Sequence, residues 1–158
     1  MSVFDLEQFA ASSVSNELST KPTPFPIGEY RLQIQGPFGD DKATKLRQTE
    51  KGQLILDVVY LADGAQQTPD GDMLSDVAGM ATPTVRQSIF LDITENGGLD
   101  VRPGKNFRLG QLREALGQNT KGKPWSFQNL IGGMVIGKVT HRVVGEDVYA
   151  DVKTVTKA

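Results

Sequence analysis

Polar and apolar residues alternate most regularly in five stretches of the chain. Each alternation with a period of two predicts a strand with one buried face. In GEYRLQIQG, Tyr30, Leu32 and Ile34 fall on one side, and Glu29, Arg31, Gln33 and Gln35 on the other. QLILDVVYLAD is apolar on both sides, with Leu54, Leu56, Val58 and Tyr60 opposed to Ile55, Asp57, Val59 and Leu61. In TVRQSIFLDIT one face carries Val85, Gln87, Ile89, Leu91 and Ile93, and the other Thr84, Arg86, Ser88, Phe90, Asp92 and Thr94. MVIGKVTHRVV and DVYADVKTV follow, with Gly145-Glu146-Asp147 as a short hairpin loop between them. Their parity puts Val135, Val139, Val143, Val148, Ala150 and Val152 inward. Lys138, Thr140, Arg142, Tyr149, Asp151 and Lys153 are expected outward. His141 shares the valines' parity, which predicts a core histidine with a satisfied hydrogen bond.

A helical period occurs once with conviction, in KNFRLGQLREALG, where Leu109, Leu112 and Leu116 share a face and Gly117 suits a C-terminal cap. GPFGDDKATKLRQTEKG is polar and turn-rich and reads as a loop or a frayed hairpin end. Residues 62–83 read as one long loop, and Asn96-Gly97-Gly98 as a turn. Ser126 is placed to cap a single turn, FQNL, with Trp125 before it as an apolar staple and lid on the core; the alternative for Trp125 is a platform on which a base stacks. The resulting order is strand, strand, strand, helix, strand, strand. That order predicts a mainly β, OB-fold-like barrel with one α-helix between strands 3 and 4; an open α+β sheet with one helix is the alternative.

At 158 residues the chain is long enough for one self-sufficient core, expected over residues 27–158. Residues 1–26 are expected to form a flexible arm. Phe4, Leu6 and Phe9 give way to a Ser/Asn/Thr-rich run and then to Pro22, Pro24 and Pro26, which favour extended chain. A helix before the prolines would be marginal alone, and the functional alternative to a disordered leader is a docking peptide anchored by Phe4 and Phe9.

The chain has no cysteine and one histidine, which excludes disulfides, thiolate metal sites and histidine-based triads. No nucleophile–base pair and no phosphate loop of the required spacing is visible. An enzyme, a metal centre and a cofactor are therefore not expected. No apolar run reaches a membrane span of about 18 residues, and MSVFDLEQFA has neither a basic nor a long apolar region. The expected location is the cytoplasm, with no membrane partner. Net charge is −2 but uneven: residues 1–80 carry 6 Lys/Arg against 12 Asp/Glu, and residues 81–158 carry 11 against 7. The C-terminal half could therefore present a basic face.

Residues 26–158, apart from the 62–83 loop, resemble a family of small bacteriophage proteins encoded with replication and recombination genes. These are read as single-stranded-DNA-binding-like OB proteins. PIGEYRLQI resembles the family's opening strand, VRQSIFLDI its central strand and FRLGQLREALG its helix. FQNLIGGMVIGKVTHR and VYADVKTVTKA resemble its closing turn, hairpin and C-terminal end. The chain departs from the family at Gly133, where a lysine is usual after L-I-G, and its KTVTKA end lacks the acidic tail of general bacterial single-strand binders. The resemblance implies a host-cytoplasmic protein that binds single-stranded DNA and, through the arm, phage replication or recombination proteins; an oligomer is compatible with it.

Single-strand binders need a positive groove for phosphates and aromatic faces for bases. Arg86 and Phe90 on the third strand, with Lys138, Arg142, Tyr149 and Lys153 on the closing hairpin, are the candidates the strand registers supply. Arg31 on the first strand is expected to join them, and Lys121 and Lys123 beside Trp125 to sit at the rim. For Phe90 the competing expectation is burial under the 62–83 loop. The competing function is a phage structural or adaptor protein that packs this sheet face on protein.

Overall fold

A computed structural model describes residues 5–158; the expected anchor Phe4 lies outside them. The elements in chain order are α1 (Leu6–Ala11), β1 (Gly28–Ile34), β2 (Lys45–Gln48), β3 (Leu54–Ala62), α2 (Leu74–Ala78), β4 (Thr84–Leu91) and α3 (Phe107–Ala115). A 3-10 turn (Phe127–Leu130), β5 (Met134–Val144) and β6 (Asp147–Lys157) complete the chain.

The protein is mainly β, built on a six-stranded mixed sheet of order β1-β5-β6-β4-β3-β2. An extra pairing of β1 with β3, Leu32 opposite Ala62 and Ile34 opposite Tyr60, closes a ring of hydrogen bonds through five strands. All pairings are antiparallel except β4 with β6, which meet in parallel at Arg86 and Asp151.

Inside the ring the predicted alternations converge. Tyr30, Leu32 and Ile34 of β1, Val58 and Tyr60 of β3, and Val85, Ile89 and Leu91 of β4 are buried together with Val135 and Val139 of β5. Helix α3 adds Leu109, Leu112 and Ala115 to the same core and packs on β4 and β6. Gln87 lies among the apolar residues of β4's inner face, where it accepts a 2.6 Å hydrogen bond from the buried Tyr60 hydroxyl. That bond satisfies both polar groups, and burial pushes the Tyr60 phenol's pKa well above its ordinary value.

Several expectations need correction. The sheet has six strands and the described residues hold three α-helices, against five strands and one helix. The sixth strand, β2, comes from the stretch read as a loop: Lys45–Gln48 pairs with Leu54–Asp57 along the edge of β3. Its side chains are half-buried or exposed, so no hydrophobic alternation marks it. The 62–83 loop contains α2, held by Leu74, which is fully buried.

At the far end of the hairpin, Val143 is 69% and Val148 43% exposed, although their parity points inward. The cause is that β1 pairs with β5 only as far as Val139, and β4 meets β6 only at Asp151, so the hairpin tip runs past the ring. His141 is exposed for the same reason, and its Nε2–H donates to the Phe25 carbonyl at 2.7 Å. A bulge opposite Lys138/Val139 pairs these residues with Thr154 and Val152, leaving Lys153 over. Val152 and Val155, three apart, are consequently both buried. The hairpin loop is two residues, Gly145-Glu146, with Gly145 at φ +62°, a conformation that hairpin loops of this length favour. Finally, Ser126 makes no side-chain cap; its hydroxyl bonds the Asn129 side chain instead.

Candidate nucleic-acid interface

The outer face of β4 presents Thr84, Arg86, Ser88 and Phe90 to solvent, as its alternation predicts. Phe90 is 56% exposed, so the 62–83 segment does not bury it. An aromatic ring this open on a polar strand face contributes little to packing and is free to stack. Beside it on β3, Ile55 and Val59 are buried outer-face residues paired with Phe90 and Arg86. Between them Asp57 accepts from Ser88 Oγ at 2.8 Å and forms an ion pair with Arg47 of β2. The Arg47 charge is thereby committed within the sheet.

The parallel contact of β4 with β6 brings the hairpin alongside. Arg142 and Tyr149 are directly opposite each other, and the guanidinium lies 5.1 Å from the Tyr149 ring centroid. Arg142 Nε also donates to Asp151 at 3.0 Å. Arg86, Ser88, Arg142, Tyr149 and Asp151 line a groove of about 810 Å³. Its other bank is the end of the arm, Ser19 to Phe25. Phe25 is buried and packs edge-on against Tyr30 at 5.0 Å, while Lys21 reaches the hairpin tip and pairs with Asp147 at 2.6 Å.

Along the strand direction, Phe90 lies four residues beyond Arg86, and Tyr149 two residues before Asp151 on the neighbouring parallel strand. At the strand rise, the two exposed rings are therefore about 20 Å apart.

The structure thus gathers only part of the expected set. Arg86, Arg142 and Tyr149 share the groove, with Phe90 farther along β4. Arg31 and Lys138 sit on the outer face of the β1–β5 pair, Arg31 opposite Ile136 and Lys138 opposite Glu29, so that a carboxylate faces the lysine. Arg31 lines a separate hollow with Glu29, Asp63 and Gln66. Lys153 is the exposed bulge residue, its carbonyl accepting from Arg108 at 3.1 Å. Lys121 and Lys123 are exposed on the loop before the 3-10 turn and line none of these hollows.

Two residues with the same chemistry were missed by the strand registers because they belong to the start of α3. Asn106 donates its backbone N–H to Asp92 and accepts from the Asp92 N–H, which fixes the start of α3 at the end of β4 that carries Phe90. The next residues, Phe107, 58% exposed, and Arg108, 5.3 Å from its ring centroid, form an aromatic–cation pair there. The signal available in the sequence was the exposed helical parity of Phe107 against Leu109 and Leu112.

Trp125 is half-buried, with the Arg113 guanidinium 4.3 Å from its ring centroid and Phe127 edge-on at 5.0 Å. Its indole N–H donates to Gln118 at 2.9 Å, and Gln118 in turn donates to the Asn129 carbonyl. One ring face is thus covered by Arg113 of α3, Phe127 packs edge-on, and the polar edge is bonded to Gln118 of the loop that returns from α3, as for a lid. Gly133 is close-packed at this corner: a Cβ there would lie 2.6 Å from Leu116 and 3.0 Å from the Leu130 carbonyl. A lysine at this position would need the corner to open.

Comparison with protein-family models and with curated proteins finds no match to this chain. Among the described residues no helix is long and apolar enough to cross a membrane.

Proposed function

We propose that the protein binds single-stranded DNA, without catalysis and largely without sequence preference, along the outer face that runs from Phe90 past Arg86 to Arg142 and Tyr149. The observation that carries this reading is the pair of exposed rings, Phe90 and Tyr149, set on one face with Arg86 and Arg142 between and beside them. Stacking on such rings stabilises a bound strand by roughly 1–3 kcal/mol per base and tolerates any base. Read as an OB-type barrel, the five-strand ring with α3 between its third and fourth strands in chain order supports the same function. A role in phage DNA replication or recombination rests on the resemblance of the β1, β4, α3 and hairpin sequences.

Titration of a labelled oligo-dT by fluorescence anisotropy at low salt tests this. Saturable binding is expected, and its absence at tens of micromolar protein would overturn the proposal. A second reading, a structural or adaptor protein docking on other proteins, is favoured by exposed Val143, Val144 and Val148 at the hairpin tip and Leu6, Val14 and Leu18 in the arm. It predicts the protein in stoichiometric amounts in purified virions and no salt-sensitive DNA binding.

A further inference from the structure

The charges lining the groove balance. Lys21, Arg86 and Arg142 face Glu146, Asp147 and Asp151. Asp151 is taken up by Arg142, which leaves the hairpin tip's Glu146 and Asp147 at the groove mouth. Among the described residues, the only cation held against that tip is Lys21, which pairs with Asp147 and donates to the Glu146 carbonyl at 3.4 Å. Lys21 does not belong to the ring. It arrives on the extended segment Ser19–Phe25, which is pinned at one end by the buried Phe25 side chain and the His141 bond to its carbonyl. Pro22 and Pro24 restrict the chain between those anchors. Without this strap the groove would carry a net negative charge on the side where a phosphate backbone must pass.

We propose that Ser19–Phe25 forms the second wall of the nucleic-acid groove, and that Lys21 makes the groove passable for a phosphate backbone by cancelling the charge of Asp147. This rests on the single-strand-binding reading of the same face. The strap is then a working part of the site and stays in place when the strand is bound. A strap that merely covered the groove would have to leave, and in leaving it would uncover Asp147 against the incoming phosphates.

The two arrangements give opposite signs. Lys21 and Asp147 are each about half exposed, so substitutions there leave the core intact. Full-length Lys21→Ala, Lys21→Arg and the double variant Lys21→Ala/Asp147→Asn are titrated with labelled oligo-dT at low salt, with melting temperatures as folding controls. Lys21→Ala is expected to weaken binding about fivefold, the effect of one unit charge about 4 Å from a phosphate in water. Lys21→Arg is expected to bind as the parent does, and the double variant to return to within about twofold of it. Tighter binding by Lys21→Ala would identify a cover and overturn the wall while leaving the binding reading intact. Unchanged affinity of Lys21→Ala, or no recovery in the double variant, would overturn the charge-cancelling role. Failure of the parent and every variant to bind would overturn the single-strand-binding reading, and the wall with it.

Discussion

Removing the Phe90 and Tyr149 rings one at a time, against oligonucleotides of increasing length, tests the binding face at its most specific point. Phe90 and Tyr149 are separated by about 20 Å along the sheet. A stacked strand advances about 3.4 Å per nucleotide, so about six steps, a strand of about seven nucleotides, are needed to reach both rings. Oligo-dT of four nucleotides or fewer should occupy one ring at a time. For it, Phe90→Ala or Tyr149→Ala alone should cost less than about threefold, because the other ring remains available. Oligo-dT of about twelve nucleotides should engage both. There each substitution should raise Kd by about fivefold to 150-fold, the equivalent of roughly 1–3 kcal/mol per stacked base. The two losses should add, since rings this far apart share no partner. Phe90 is 56% and Tyr149 46% exposed, so neither substitution should lower the melting temperature appreciably. Anisotropy at fixed low salt reads the Kd values. Equal affinity for short and long oligonucleotides, or no effect of Phe90→Ala on the longer one, would refute the reasoning.

Two predictions concern the scaffold that holds this face. Asn106, at φ +54° and 9% exposed, donates to the carbonyls of Asp92 and Asp100 and accepts from the Asp92 N–H. Asn106→Ala should cost roughly 2–4 kcal/mol in urea unfolding, and a loss under about 1 kcal/mol would show that the latch is dispensable. The Arg102 side chain bonded to Asp100 holds that carboxyl down to about 2, below its ordinary value of 3.8. A depressed carboxyl stabilises the fold above its unfolded pKa and loses that contribution as pH falls through the folded one. Stability should therefore decline between about pH 4 and pH 2, and Asp100→Asn should flatten the decline. An unchanged acid limb in thermal melts would argue against it.

What could be read in the sequence follows from which interactions are local. The alternations of β1 and β4 state their buried faces directly, because each inner position meets the same core. The same rule put Arg86, Phe90, Arg142 and Tyr149 on outer faces, and they are there. It failed at Val143 and Val148 because parity states only a direction. Whether anything lies in that direction depends on how far β1 and β4 run alongside the hairpin, and the pattern does not encode that. β2 was hidden because an edge strand of four residues pairs through its backbone and buries little. The grouping of the site was hidden for a related reason. Arg86 meets the hairpin through the β4–β6 contact, a parallel pairing of strands far apart in the chain, and Lys21 reaches it from a segment without any period.

The balanced charges of the groove bear on how binding should respond to salt. A basic face made of all the cations the strand registers suggest would gather Arg31 with Arg86, Lys121, Lys123, Lys138, Arg142 and Lys153 of the C-terminal half and give a steep dependence. Here Arg31 and Lys138 lie on another strand pair, and Lys121 and Lys123 line none of the described hollows. The groove itself offers three cations, two of them already paired with carboxylates. At about 0.7 per phosphate neutralised, the slope of log K against log[salt] should not exceed roughly 2. Affinity must then come mainly from the rings, and Phe90→Ala should lower it at every salt concentration without changing the slope. Among the described residues no carboxylate is bonded to Arg86, the third groove cation, so Arg86→Ala should be the substitution that flattens the slope, by about 0.7. Anisotropy titrations between low and moderate salt measure both. A slope well above that limit would place the phosphate path elsewhere, across the β1–β5 face of Arg31 and Lys138 or the loop of Lys121 and Lys123.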